Sequence, residues 1–429
     1  MRIRSIAALS AAAVAALLLA GCSSSPTPTA SPSASAAADL CSSVASGGKQ
    51  PQLLIVSDLP VRGFAFHRDT LNMEAAIRFV LARHHFTAGR YTVGYQACDD
   101  SNPQAAQGDL TKCAANAKAY AQDASVVGVV GTWSSSCAAV EIPILGQAPG
   151  GPLGMVSPTN TNVGLTHADA GTAPGEPARY YPAGRRNYVR VISADDAQAR
   201  ADALVAKRAG ARRVFVLDDG TGYGLSVASA FRSAARKLAL HVAGSGAWDP
   251  AQASFDGLAR RVRAAHADAV FLGGSGCPAC RVLVRQLRSV VGTHGALIAP
   301  DGFTPVDDLA KAYGAPADGM YVSIPGDSFA DLSPLGRKIA RMFGGASHLS
   351  FSGAAYAAQA LEVLLDSIAR SDGTRGSITG DLFTTHVRGG ILGTFGFDRN
   401  GDTTLNPVLI YRVRGRVGRF DRVVDAPAP

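Results

Sequence analysis

Between Leu53 and Val322 the chain repeats one arrangement: a short apolar run, then a longer stretch whose apolar residues recur every three or four positions. A run of four to six apolar residues suits a strand buried on both faces, and the amphipathic stretch suits a helix that covers it. Leu53–Val56, Tyr91–Gln96, Val126–Val130 and Gly154–Val156 read as strands, and the intervening patterns predict helices near 72–83, 110–121 and 134–145. A second series starts at Tyr188–Ile192 and runs through Arg213–Leu217, His241–Ala243, Ala269–Leu272, Ala296–Ala299 and Gly319–Val322. Strict alternation argues for parallel sheets with helices on both faces. The two series therefore predict an α/β protein of two doubly wound parallel-sheet lobes. Ligands of such sheets bind beyond the carboxyl ends of the strands, so the cleft between facing lobes is the expected site. Between the series, His167–Arg186 is rich in Gly, Pro and Ala and reads as an insertion. The end, Phe395–Val424, alternates in pattern and turns at Asn400-Gly401, which predicts antiparallel strands.

Ahead of this lies a leader. Residues 1–22, MRIRSIAALSAAAVAALLLAGC, carry Arg2 and Arg4, then an apolar run too short to span a bilayer comfortably, then small residues before Cys22. Leu19-Ala20-Gly21-Cys22 resembles the lipobox of bacterial lipoproteins, which implies cleavage before Cys22 and a diacylglyceryl group on its thiol. The alternative is an ordinary secretory leader with an incidental cysteine. Buried acyl chains contribute about 0.8 kcal/mol per methylene, enough to hold a protein at a membrane without spanning it. Ser23–Ala38 has neither aromatic nor charged residues and predicts a disordered stalk.

The formal charge of +8 invites a nucleic-acid reading. The arginines, however, are scattered as pairs such as Arg185–Arg186 and Arg260–Arg261 without interleaved aromatics, so a solvated surface is expected and no nucleic acid. Besides Cys22 there are six cysteines, Cys41, Cys98, Cys113, Cys137, Cys277 and Cys280, an even set that suggests disulfides with fifteen possible connectivities. Cys277-Pro278-Ala279-Cys280, between a strand and a helix, is either a closed structural disulfide, the expectation outside the cytoplasm, or a thioredoxin-type redox pair. No second CxxC or His pair stands at zinc spacing, and His84-His85 point in different directions on a helix. Asp398-Arg399-Asn400-Gly401-Asp402 opens like a calcium loop, but Thr403 and Leu409 occupy positions that need Gly and Glu, so a turn is expected. Neither an HExxH, a P-loop nor a GxSxG elbow occurs, and neither a metal nor a cofactor is expected.

Three loops follow strands on the side where ligands should sit. Gly131-Thr132-Trp133-Ser134-Ser135-Ser136 opens a helix, where hydroxyls and backbone N–H groups favour an anion, although one serine would suffice as a cap. Ser157–Thr166, SPTNTNVGLT, is the second. The third, Asp219-Gly220-Thr221-Gly222-Tyr223-Gly224, lacks the GxGxxG spacing of a dinucleotide loop. With the phrase Phe397-Asp398…Gly401-Asp402, these stretches resemble the solute-binding lipoproteins of ABC importers for branched-chain amino acids and amides.

That resemblance implies the type I periplasmic-binding-protein fold, two lobes joined by three hinge segments. The expected division is a leader at 1–21 and a lipidated, disordered stalk at 22–50. Residues 51–186 plus 302–394 would form the first lobe, and 187–301 plus 395–429 the second. The crossings would lie near Arg186–Tyr188, Ala299–Gly302 and just before Phe395. Position by position, it implies that Ser135, with Ser136 beside it, binds a ligand carboxylate. Thr159 offers backbone groups, Thr161 contacts both polar ends, Tyr223 closes over the ligand and Asp301 takes an ammonium. Where the family often has a second aromatic, this chain has Gly273-Gly274-Ser275-Gly276, so Ser275 joins the candidate set and the pocket is expected to be wider or more polar. Tyr180 and Tyr181 of the insertion are candidates to replace that aromatic surface. The family disulfide implies Cys98–Cys137 here, with Cys113 as a rival partner. The expected protein is extracytoplasmic, lipid-anchored and non-enzymatic, and delivers a small amino-acid-like zwitterion to an ABC permease. A ligand-sensing receptor of the same fold, and a thiol oxidoreductase using Cys277 and Cys280, are the alternatives.

Overall fold

The computed structural model describes residues 40–62, 67–101, 108–343 and 353–426. The leader, Cys22 and the Ser23–Ala38 stretch lie outside the described residues. The first series folds as β1 (Leu53–Leu59), α1 (His67–Arg83), β2 (Thr87–Ala88), β3 (Tyr91–Asp99), α2 (Leu110–Gln122), β4 (Val126–Gly131), α3 (Ser135–Gly146), β5 (Gly154–Ser157) and β6 (Tyr188–Arg190). These strands form one sheet in the order β2-β3-β1-β4-β5-β6, parallel except for the short β2–β3 pair. The second series gives α4 (Asp195–Arg208), β7 (Arg213–Asp218), α5 (Gly222–Lys237), β8 (His241–Ala247), α6 (Asp256–Ala264), β9 (Ala269–Gly273), α7 (Cys280–Val291), β10 (Ala296–Ala299), α8 (Val306–Tyr313) and β11 (Tyr321–Pro325). Next come α9 (Pro334–Phe343), α10 (Gly353–Arg370), α11 (Arg375–Phe383), the hairpin β12 (His386–Gly390) and β13 (Gly393–Gly396), then β14 (Pro407–Arg414) and β15 (Val417–Asp425). The second sheet runs β15-β14-β11-β10-β9-β7-β8, with β14 and β15 antiparallel at one edge.

Both sheets are covered on both faces, which is why their strands read as near-continuous apolar runs. In β9, Val270 and Leu272 pack towards α6, α7 and α8. Ala269 and Phe271 face α4 and α5, where Phe271 stacks on Phe231 at 4.1 Å between ring centroids. In the first lobe Met73, Ile77 and Val80 of α1 meet Leu361, Leu364 and Ile368 of α10 on one face of the sheet. Ala117 and Tyr120 of α2 and Ile142 and Leu145 of α3 cover the other. Among the described residues no helix is long and apolar enough to cross a membrane.

Several boundaries differ from expectation. Tyr188–Arg190, placed in the second lobe from sequence, is the edge strand of the first sheet, paired with Met155–Ser157. Tyr321–Pro325, placed in the first lobe, lies inside the second sheet between β10 and β14. The chain therefore crosses between β6 and α4, between β11 and α9, and between β13 and β14. Ala299–Gly302 is the end of β10 and no crossing, and the last crossing follows Phe397 rather than preceding Phe395, since Phe395 and Phe397 pack in the first core. Residues 40–50 are not stalk. Cys41 and Ala45 bridge Cys98 and Tyr95 antiparallel to β3, with Ser42 N donating to Ala97 O at 2.7 Å.

The cysteines pair as Cys41–Cys98, Cys113–Cys137 and Cys277–Cys280. This overturns Cys98–Cys137: Cys98 on β3 faces the N-terminal segment laid along that strand, while Cys113 on α2 lies against Cys137 on α3. Tyr180 and Tyr181 are also buried in the first lobe's core, with Tyr181 Oη donating to Leu165 O at 2.6 Å, so they supply no replacement aromatic surface to a cleft.

A charged network ties the crossings together. The fully buried Arg190 donates from Nε to Asp402 Oδ1 (2.5 Å) and from Nη1 to Asn160 O and Asn162 O (3.1 and 2.7 Å), and also meets Thr166 Oγ1. His167 bonds Asp402 through Nδ1 at 2.8 Å and lies 3.5 Å from Asp196, which Arg200 also holds at 2.6 Å. Burial works against a charged His167, but its bonds to Asp196 and Asp402 outweigh it and lift its pKa to about 9. The expected Asp398–Asp402 turn is present, with Asp398 Oδ1 accepting from the N–H groups of Asn400 and Asp402.

Candidate functional site

The loop after β4 opens α3, and Ser134 is its cap: Ser134 Oγ accepts from Cys137 N at 3.4 Å and pairs with Ser136 Oγ at 3.0 Å. The capping function thus falls on Ser134, and the half-buried Ser135 accepts from Asn162 N at 3.3 Å. The first N–H groups of a helix have no partner within it, and the dipole there favours negative charge. Thr159 is structural. Its hydroxyl donates to Thr132 O and Trp133 O (3.1 and 3.0 Å) and its N–H to Ser157 Oγ (3.3 Å), which pins the second loop under the first.

Thr161 links the lobes. Its carbonyl accepts from Asp195 N at 2.8 Å, and its side chain hydrogen-bonds the Asp195 carboxylate. Asp195, at the start of α4, is 2% exposed, and its Oδ1 has no partner among the described residues. Burial raises its pKa to about 7, and the nearby charge of Asp301 adds to this. Asp301 is half-buried just past β10 and accepts from Tyr223 Oη at 2.7 Å, with the Gln198 side chain also bonding it. Desolvation holds its pKa above the usual carboxylate range despite those donors.

Close backbone approach brings Tyr223, Ser275 and Asp301 together. A Cβ on Gly302 would stand 2.4 Å from Gly274 O and 3.0 Å from the Tyr223 ring, and one on Gly224 would stand 2.1 Å from Asp219 Oδ1. Only glycine fits at both positions. Ser275 is exposed, and its N–H is held by Asp219 Oδ2 at 3.0 Å, in a loop whose far end is closed by the Cys277–Cys280 disulfide.

The structure therefore joins Thr161, Tyr223, Ser275 and Asp301, with Ser135 one residue further along through Asn162. Thr159 and Ser136 belong to the scaffold of the loops. Two residues were missed from sequence, Asp195 and Gln198. An aspartate in the first turn of a helix is ordinarily read as a complement to the helix dipole, and the pattern alone gives no sign that Asp195 faces Asp301. The arrangement has a positive pole at the α3 terminus and a negative one at Asp195 and Asp301.

Comparison with known proteins fits this geometry. Residues 89–417 match the family model described as periplasmic binding protein. A leucine-binding protein, LivK, from Thermotoga maritima superposes with a TM-score of 0.67 at 21% identity, over 87% of this chain and 99% of that one. An ABC transporter substrate-binding protein from Desulfitobacterium hafniense, in complex with Leu, gives 0.65 at 20% identity, over 86% and 99%. A solute-binding protein from R. palustris in complex with 4-hydroxybenzoate gives 0.66 at 16% identity, over 87% and 98%. No curated protein sequence matches the chain. With an α/β structure of two lobes and a family match over most of its length, the chain belongs to the periplasmic binding protein family, whose members bind solutes and are not catalysts.

Proposed function

We propose that this protein is a lipid-anchored solute-binding component of an ABC importer that closes its two lobes on a small zwitterion, an amino acid or a close relative. The observation that carries this reading is the pairing of opposite poles: the α3 terminus beside Ser135, and the carboxylates of Asp195 and Asp301 beside Thr161 and Tyr223. An unpaired carboxylate at the edge of a cleft favours a cationic group on the ligand. Aromatic carboxylates such as 4-hydroxybenzoate, the ligand of one structural neighbour, lack that group. Closure would be a hinge motion about the three crossings. Family membership gives an extracytoplasmic location, and Cys22 would supply the anchor through its lipid.

Isothermal titration calorimetry against a panel of L-amino acids, amides, benzoate and 4-hydroxybenzoate tests the ligand class. An amino acid should bind most tightly. Tighter binding of benzoate than of any amine-bearing ligand would overturn the reading. Cys22→Ser should move the protein from the membrane fraction to the soluble one.

A further inference from the structure

The insertion His167–Arg186 is rooted in the first lobe and reaches the second. At its root Tyr180 and Tyr181 are buried in the first lobe's core, and Tyr180 Oη donates to Glu176 Oε1 at 2.6 Å. Its outer arm is shaped by a turn: Thr172 donates to Asp169 O from N and Oγ1 (3.1 and 2.9 Å), and Asp169 N donates back to Thr172 Oγ1 at 3.3 Å. Residues 168–170 and 173–175 are exposed, yet Gly171 and Thr172 between them are half-buried. Gly171 lies against the second lobe. A Cβ there would stand 2.5 Å from Ser226 O and 2.8 Å from Ser226 Oγ, and Ser226 is one turn after Tyr223 on α5. At the near end of the arm, His167 Nε2 lies 3.5 Å from Asp196 Oδ2, next to Asp195 in the first turn of α4. The Nδ1 of the same ring is held by Asp402, which Arg190 also grips. The arm therefore touches the opening turns of both helices that carry Asp195 and Tyr223.

We propose that His167–Thr172 is a latch between the lobes, which holds the α4 and α5 starts against the first lobe and so sets the affinity for the solute. This rests on the reading that the lobes close on a ligand by a hinge motion. The arm belongs to the first lobe and its partners Asp196 and Ser226 to the second, so a rotation about the crossings changes their separation. Gly171 does not have a left-handed backbone. What requires glycine there is the close approach of α5 and not the local conformation. A side chain at this position meets a helix carbonyl, which cannot turn aside as a flexible side chain can, and the overlap is relieved only by parting the lobes. The penalty then falls on the closed form alone. Because these contacts join protein to protein, they act with or without a solute in the cleft.

The test compares the whole extracytoplasmic protein with its Gly171→Ala variant. Small-angle X-ray scattering without ligand should give the variant a larger radius of gyration than the parent. Calorimetry with the amino acid that binds the parent most tightly should show Kd raised about tenfold, although Gly171 touches none of the candidate ligand residues. His167→Ala, which removes the contact to Asp196 without adding bulk, should move both readouts in the same direction and serves if Gly171→Ala fails to fold. An arm that merely pads the first lobe would lower the melting temperature and leave both readouts where they were. An unchanged radius of gyration, or an unchanged Kd for a ligand the parent binds, would overturn the latch. If no amino acid binds the parent, the scattering comparison still decides the latch, and only the ligand class proposed above falls.

Discussion

Replacing Asp301 by Asn keeps an acceptor for the Tyr223 hydroxyl, now 2.7 Å away, and removes the charge that the proposal sets against a ligand ammonium. Removing one member of a buried charge pair costs ~2–5 kcal/mol. Two features of the site put the value at the lower end. Asp301 is half-buried rather than sealed, so water screens part of the interaction. Asp195 also stands close enough to feel its charge, and its pKa of about 7 is partly the work of Asp301. Once Asp301 is neutral, Asp195 ionises more readily at neutral pH and takes over part of the pairing. The expected loss is ~2 kcal/mol, roughly thirtyfold in Kd. The double variant Asp195→Asn/Asp301→Asn should lose more than the sum of the two singles, because no carboxylate then remains to substitute. Calorimetry at pH 7 with the tightest amino acid of the panel measures all three. An unchanged Kd in Asp301→Asn and in the double variant would put the ammonium elsewhere and refute the polarity of the site.

Peptide mapping under non-reducing conditions should find Cys98 joined to Cys41, and Cys113 to Cys137. Because the Cys41–Cys98 link spans 57 residues, Cys41→Ser/Cys98→Ser should cost about 2–4 kcal/mol in denaturant melts. Arg375 is 5% exposed and donates to the carbonyls of Val126, Ala121, Pro149, Tyr120 and Asp123, so Arg375→Ala orphans several buried acceptors at once. It should destabilise the first lobe by at least ~3 kcal/mol in urea titration. The His167 pKa is raised to about 9, so the stability it contributes is complete below its ordinary value of 6.5 and is lost as pH rises through 9. Asp402 is depressed to about 2, against burial, mainly by Arg190 and His167; its contribution is present above 3.8 and disappears as pH falls through 2. Melting temperature should therefore fall between pH 7 and 10, and His167→Ala should flatten that slope.

Much of the architecture was legible because strands buried on both faces leave an unmistakable apolar run. Val126–Gly131 and Ala269–Gly273 are cases where pattern and structure coincide. Sheet membership was not legible in the same way. Tyr188–Arg190 and Tyr321–Pro325 have a pattern that fits either lobe, and only long-range pairing with β5 and with β10 and β14 assigns them. Cys277–Cys280 closes as expected, but the Cys98–Cys137 pairing failed for a related reason: Cys41 sits after a stretch without periodicity, and nothing local says that its segment lies along β3. At the site, Tyr223 and Asp301 were named from the family resemblance, and they stand within a hydrogen bond of each other. Asp195 was not, since a helix-start aspartate has an ordinary explanation that hides its neighbour across the crossing.

The strip of chain at Leu40–Gln50 has a mechanical consequence. Because Cys41 is bonded to Cys98 and Ala45 exchanges backbone hydrogen bonds with Tyr95, a pull on the chain at Cys41 is delivered to β3, near one edge of the first sheet, and not to the crossings. The half of the molecule bearing Ser135 is then the stationary jaw relative to whatever grips the N-terminus. The half bearing Tyr223 and Asp301 carries no such bond to the Leu40–Gln50 strip.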